Sequence, residues 1–408
     1  MAESSIFVFT QPSDILVFRV PIGRHELKHM DLEFTEEQKI FKEVARDFAE
    51  KEIGPLVEKY EKEQRFPVEL FPKLGEMGFL GIAYPEEYGG AGADKVTESI
   101  FVEEMGRICA GIAMGINAHV GLACLPIWKF GTEEQKQKYL VPGLAGEKIG
   151  ALALTEPEAG SDATGIESEA VKEREKYILN GKKTWIGNAP IADFVVVAAY
   201  TDKDKGAEGI SLFLVEKNFR GFKVTKELDK VGHRASDHGE ITFENCVVPQ
   251  ENLLGGFEGR FGELMDTLIS ARITHAFKSV GLAQAAFEYA LKYSKEREAF
   301  GRPICKFQAI SFKLADMATK IETARLMAYK AAWIYDRGKR CVKEASMAKL
   351  YASEVVQWVA TEAVQVLGGY GYGVEFPVER YYRDALVASI TEGTSEIQRI
   401  IIGRELEL

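Results

Sequence analysis

The chain has 408 residues, enough for two or three domains with buried cores, and an ordinary globular composition. With 62 acidic against 51 basic residues the formal charge is -11, so no overall basic field exists to hold a nucleic-acid backbone or an anionic bilayer. Its five cysteines are scattered singly without a C-x-x-C pair, which reads as reduced thiols in a cytoplasmic compartment, and its six histidines form no H-E-x-x-H, which speaks against a metal site.

At the start, Ile6-Phe7-Val8-Phe9 and Ile15-Leu16-Val17-Phe18 flank Gln11-Pro12-Ser13-Asp14, the pattern of two short strands around a turn. The same segment also reads as an upstream in-frame extension, residues 1–29, ahead of a start at Met30; either way residues 1–31 stand as an N-terminal extension before the first domain. These apolar runs are too short to span a membrane and lack a basic leader. From Phe34 to about Gly150 the period is helical: Phe41, Val44, Ala45, Phe48 and Ile53 recur at three- and four-residue steps, behind a capping-box pattern at Thr35-Glu36-Glu37-Gln38. A further helix is expected over Glu98–Arg107, before the small-residue stretch Ala110–Leu122.

Near residue 150 the period changes to alternation. Leu152–Leu154, Glu169–Val171, Tyr177–Leu179, Phe194–Val197, Ile210–Val215 and Ile241–Phe243 read as strands, with Asn180-Gly181 as the best hairpin turn. From Phe261 the helical period returns in three long runs, through Val280 and Phe287, through Leu314 and Ile321, and through Val355 and Val359, followed by a short terminal helix. Gly369-x-Gly371-x-Gly373 closes a helix instead of opening one after a strand, so it reads as a cap and loop and not as a dinucleotide fingerprint. Glu392 lies on a loop entering the last helix, among small and hydroxylated residues. A carboxylate so placed can face a ligand, and an apolar ligand beside it would raise its pKa, which suits a general base.

Five strings, in order and on the expected element types, carry a resemblance to the acyl-CoA dehydrogenase family over residues 32–408. They are Ala153-Leu154-Thr155-Glu156-Pro157-Glu158-Ala159-Gly160-Ser161-Asp162; Lys230-Val231-Gly232 with Arg234-Ala235-Ser236-Asp237; Arg297-Glu298-Ala299-Phe300-Gly301; Gln308-Ala309; and Gln365–Gly371 with Glu379 and Arg383-Asp384. The resemblance implies a multi-domain α architecture with a central β domain. It comprises an N-terminal helical domain (32–150), a middle β-barrel or sandwich (151–257) and a C-terminal four-helix bundle (258–408).

It also implies FAD as cofactor, acyl-CoA as substrate, electron-transferring flavoprotein as electron acceptor, and a homotetramer. Leu152, Leu154, Thr155 and Trp185 fall where the family contacts flavin, and Ser161 where it contacts the pantetheine arm of CoA. Arg297, Gln308, Gln365 and Gly369 fall where it reaches the FAD of a neighbouring subunit. Phe300, Thr394 and Glu396 are further cofactor positions, and Arg272 a substrate position. Glu392 takes the family's catalytic-base position; the alternative place, before the arginine on the long helix, is Ala271 here. An acyl-CoA oxidase, a nitroalkane oxidase (which would carry Asp at the base) and a non-catalytic flavin- or acyl-CoA-binding assembly subunit share the pattern.

Two departures bear on chemistry. Trp185-Ile186-Gly187-Asn188 lacks the hydroxyl residue that many relatives carry in place of Gly187. In segments that line the acyl cavity of relatives stand Asn117, His119 and His275, polar groups whose burial costs free energy unless they are paired. They read either as contacts for a cyclic, aromatic or carboxylated acyl group or as surface or paired core residues.

Overall fold

A computed structural model of the chain describes residues 4–11, 14–20 and 33–408. Strands β1 (Ser4–Gln11) and β2 (Asp14–Val20) pair antiparallel with Phe7 opposite Val17, while Pro12, Ser13 and Met30 lie outside the described residues. The first helix, Glu36–Phe48, opens on the capping box at Thr35, whose hydroxyl accepts from Gln38 N while the Gln38 side chain accepts from Thr35 N. Lys95–Ile108 is the next long helix, begun by Asp94 accepting from Thr97 N. The small-residue stretch after it is itself helical, Ala110–Asn117 running through wider turns at Ala118–Cys124 into Leu125–Phe130. By length and composition residues 110–130 are apolar enough to cross a membrane, yet 94 % of their most apolar window is buried inside the protein. Here apolarity serves a core.

The middle region is one seven-stranded sheet. Its strands are β3 (Gly150–Ala153), β4 (Glu169–Glu173), β5 (Lys176–Gly187), β6 (Phe194–Tyr200), β7 (Ile210–Glu216), β8 (Phe222–Glu227) and β9 (His238–Pro249), in the order β3-β6-β4-β5-β9-β8 with β7 on β6. Alternation along β6 divides its side chains between two cores. Phe194, Val196, Ala198 and Tyr200 join the N-terminal helices, and Val195, Val197 and Ala199 join the opposite face of the sheet. Asn180-Gly181 is not the hairpin turn its composition suggested. Both residues lie inside β5, at a bulge opposite β9, and the β4–β5 turn is made at Arg174 and Glu175, with Arg174 at φ 57°. Gly181 is needed for a close approach: a Cβ there would lie 2.1 Å from Ser168 Oγ. The charged turn Glu173-Arg174-Glu175-Lys176 carries no glycine to announce it, and β8, largely exposed, shows no apolar run.

The C-terminal region has three long helices, Phe261–Glu296, Gln308–Asp336 and Val342–Leu367, with two short ones, Pro377–Ala385 and Ser395–Glu405, where one had been expected. Their shared core is rich in alanine, which lets the axes approach. The helix Phe261–Glu296 also lies along Lys95–Ile108. That approach depends on Gly281, where a Cβ would stand 2.1 Å from Glu103 O, and on Gly106, where it would stand 2.6 Å from Lys278 O. It presses the Arg272–Lys278 turns against the N-terminal helices, and this seam holds the site.

Candidate active site

Glu392 sits between a short turn ending at Ser389 and the helix Ser395–Glu405, which Thr394 caps by accepting from Ile397 N. Its backbone is left-handed, φ 57°, followed by Gly393 at 88°. A non-glycine residue there is strained, and surrounding bonds hold it. Gln398 Nε2 donates to both Glu392 O (3.3 Å) and Gly393 O (3.0 Å), and Lys349 Nζ donates to Gly393 O at 2.8 Å.

This backbone turns the Glu392 side chain inward, where it is only 4 % exposed. Asn117 Nδ2 donates to its Oε1 at 3.2 Å. Its Oε2 has no hydrogen-bond partner among the described residues, and His275 Nδ1 lies 3.9 Å from it. Burial pushes the carboxyl above the ordinary carboxylate range, while Lys278, Lys349, Arg272 and Lys95 draw it back. All four cations are themselves buried. Lys95 bonds Glu98 and Thr274, Lys349 is pushed down to about 8 by burial, and Lys278 Nζ has only Met114 Sδ, at 3.3 Å, as a recorded contact. Two influences therefore oppose at this carboxyl, desolvation raising its pKa and the four cations lowering it, and the desolvation is the larger.

Asn117 also lines a small cavity of ≈ 20 Å³ with Phe79, Glu98, Phe101, Met105, Ile116 and Val120. Phe79 and Phe101 stack at 4.8 Å across one wall. His119, expected at the acyl cavity, offers a ligand nothing: its Nε2 bonds Gly143 O and its Nδ1 accepts from Gly150 N, both at 2.9 Å.

The flavin positions expected from the β region are gathered at the end of β3. Leu152, Leu154 and Thr155 are half-buried there, and Thr184 N donates to Thr155 O at 3.0 Å, which places Trp185 beside them. Beneath them Lys183 Nζ, fully buried, donates to Leu154 O at 2.9 Å and to Glu156 Oε1 at 2.7 Å. Trp185 stands at a bulge with φ 59° and is 58 % exposed, an apolar ring displayed where a planar ligand could cover it. Gly187 is tight, since a Cβ there would lie 3.3 Å from Ala118 Cβ and 3.7 Å from His238 Nε2. Ser161 is exposed on the loop beyond.

A second group forms elsewhere. Arg297, the C-cap of the long helix, lines an open cleft of ≈ 460 Å³ with Tyr293, Ile304, Gly368, Gly369 and Tyr370. Gly368 caps its helix at φ 62°, and nothing lies within 4 Å of where a Cβ would stand on Gly368 or Gly369, leaving bare backbone for a ligand. Gln308 and Gln365 are exposed, and Phe300, at φ 51°, is 96 % exposed. The cleft and the cavity at Asn117 share no lining residue. Thr394 spends its hydroxyl on the helix cap, and Glu396 is exposed.

Three family profiles match the chain in succession: the acyl-CoA dehydrogenase N-terminal domain over residues 35–147, the middle domain over 151–246 and the C-terminal domain over 261–407. The chain belongs to the acyl-CoA dehydrogenase family. Members of this family are FAD-dependent oxidoreductases, and so is this one. The structure of butyryl-CoA dehydrogenase from Megasphaera elsdenii superposes with a TM-score of 0.90 at 44% identity, covering 93% of this chain and 100% of that one. A chain solved in work on the electron transferring flavoprotein of Acidaminococcus fermentans and flavin-based electron bifurcation gives 0.90 at 48% identity, covering 92% and 99%. The 3-(aryl)acrylate reductase of Clostridium sporogenes is 44% identical over 91% of this chain and 99% of its own length. The acyl-CoA dehydrogenase site residues fit FAD chemically. Exposed Trp185 suits a ring face, and the Arg297 fork beside bare glycine backbone suits a pyrophosphate.

Sequence reasoning had not connected Asn117 to Glu392, nor found Lys95, Lys278 and Lys349. A signal existed for the last two: each lysine stands on the buried stripe of its helix, Lys278 between His275 and Leu282 and Lys349 between Ala345 and Ala352, where a solvated lysine does not belong.

Proposed function

We propose that this acyl-CoA dehydrogenase oxidises the Cα–Cβ bond of a short acyl-CoA thioester to the 2-enoyl-CoA, with Glu392 taking the α-proton. The observation that carries this reading is the buried Glu392 carboxylate, with one oxygen fixed by Asn117 and the other unpartnered. Asn117 orients the carboxyl so that Oε2 is the free acceptor, the neighbouring cations keep it ionised before reaction, and burial makes it basic. FAD, when bound, supplies the acceptor for the hydride leaving Cβ. Trp185, Thr155, Leu152 and Leu154 would hold the flavin, and Arg297, Gln308, Gln365, Gly369 and Phe300 would reach the FAD of a neighbouring subunit in a homotetramer. Thr394 and Glu396 would contribute at the helix start beside the base, Ser161 would meet CoA, and Arg272 would lie on the substrate side of Glu392. Electron-transferring flavoprotein is the proposed electron acceptor and the cytoplasm the proposed compartment.

A short chain is supported by the butyryl-CoA dehydrogenase relative. An aryl substituent is the second reading, supported by the 3-(aryl)acrylate reductase relative and the aromatic walls. Glu392→Gln tests the assignment. FAD should remain bound while anaerobic flavin reduction by butyryl-CoA slows about 10²- to 10⁴-fold, as for loss of a general base. Retention of more than about a tenth of the rate would remove Glu392 from the role. Rapid reoxidation of the reduced wild-type protein by oxygen would instead mark an acyl-CoA oxidase.

A further inference from the structure

His275 lies on the helix Phe261–Glu296, one turn after Arg272, and is wholly buried. Its Nε2 is 3.0 Å from Ala388 O, with Ser353 Oγ at 3.4 Å. A carbonyl oxygen can only accept, so Nε2 carries the ring proton and Nδ1 presents a bare lone pair. That lone pair has no partner among the described residues, and it faces Glu392 Oε2, equally unpartnered, at 3.9 Å.

Two unpartnered acceptors face each other in a buried place, which is unfavourable while the carboxylate is ionised and favourable once it carries a proton. The ring does not take that proton for itself. Burial, reinforced by Lys278, Lys349 and His233, holds His275 well below the ordinary histidine range, so it stays a neutral acceptor. The other charged groups at Glu392 are Arg272 and Lys278 from the same helix, Lys349 from Val342–Leu367 and Lys95 from the start of Lys95–Ile108, all donors or cations that favour the ionised form. His275 alone among these neighbours favours the protonated one.

We propose that His275 is a positioning residue for Glu392, its bare Nδ1 accepting a hydrogen bond from the carboxyl Oε2–H formed when the substrate α-proton arrives. The C–H bond to the substrate α-carbon breaks, the O–H bond on Glu392 forms, and the proton stays on the carboxyl. A small side-chain rotation closes the 3.9 Å gap. The proposal rests on Glu392 being the base, and it assigns to one histidine the task of stabilising the newly protonated carboxyl until its proton is released.

The test separates the two ring nitrogens. In His275→Gln the side-chain amide can keep the bond to Ala388 O but offers nothing at Nδ1; in His275→Asn the amide oxygen falls near the Nδ1 position. The readout is the Glu392 carboxyl titration in FAD-loaded protein, followed by its infrared C=O band and identified by subtraction of Glu392→Gln. Loss of a bond made only to the protonated form lowers the pKa, so His275→Gln should move the titration to lower pH by about one unit, and His275→Asn should restore most of it. The acid limb of anaerobic flavin reduction should move in the same direction. An unchanged titration in His275→Gln, or an equal shift in both variants, would overturn the proposal. Should either variant fail to fold, the wild-type band decides: a protonated Glu392 band at the frequency of a carboxyl donating no hydrogen bond would also overturn it. Because the infrared titration reads the carboxyl whether or not it is the base, failure here is distinguishable from failure of the Glu392→Gln experiment.

Discussion

The buried pair beneath Leu154 and Thr155, at the end of β3, gives a demanding prediction. Lys183 is fully buried and Glu156 nearly so; their charged atoms are 2.7 Å apart, and Glu156 also accepts from Glu167 N (2.6 Å) and Ser168 N (3.0 Å). Lys183→Met fills the same volume but leaves a buried carboxylate without its cation and Leu154 O without its donor. Removal of one partner of a buried pair typically costs about 3–5 kcal/mol, and the two surviving backbone bonds place this case near about 3. That is roughly a hundredfold in the folded-to-unfolded ratio. Removing both charges in Lys183→Met/Glu156→Gln should cost less than the single substitution, because no unpaired ion remains, with a coupling of at least about 1 kcal/mol. Equilibrium urea denaturation of the FAD-loaded protein, followed by circular dichroism and flavin fluorescence, reads both quantities. Flavin retention should fall with Lys183→Met, since the same ammonium holds the Leu154–Thr155 turn. A loss below about 1 kcal/mol, or a double variant weaker than the single one, would refute the reasoning.

The Glu392 pKa is raised, so the ionised base is present only above it, and the rate of flavin reduction should climb with pH through a value above the ordinary carboxylate range of about 4.3. Lys278→Met removes the largest influence drawing that pKa down, so the acid limb should move to higher pH by on the order of one unit, opposite in sign to His275→Gln. Arg297→Ala should yield protein that releases FAD more readily and is stabilised by added FAD; full flavin content in a demonstrably monomeric variant would refute an inter-subunit role. His119→Leu should destabilise the fold by about 1–3 kcal/mol for each of the two backbone groups it orphans, without changing the ratio of kcat/KM between butyryl-CoA and an aryl-substituted acyl-CoA. A changed ratio would return His119 to the acyl cavity.

What the sequence by itself determined was periodicity and local chemistry. The change of period near residue 150 and its return near Phe261 separate the regions, the Thr35 capping box forms as written, and the glycines after Leu367 end a helix. Such features depend on neighbours three or four residues away, so they survive translation into structure. Asn180-Gly181 failed for the complementary reason: the strand carrying it is paired on both sides, and two ladders outweigh a dipeptide's turn preference. Glu392 was legible as a carboxylate on a small-residue loop. Its tuning was not, because Asn117, His275, Lys278, Lys349 and Lys95 come from four different helices. Only the seam where Gly106 and Gly281 let two of those helices touch brings their polar atoms to one carboxyl. A pKa depends on distance through space and on the water excluded from that space, and neither quantity is written along a chain.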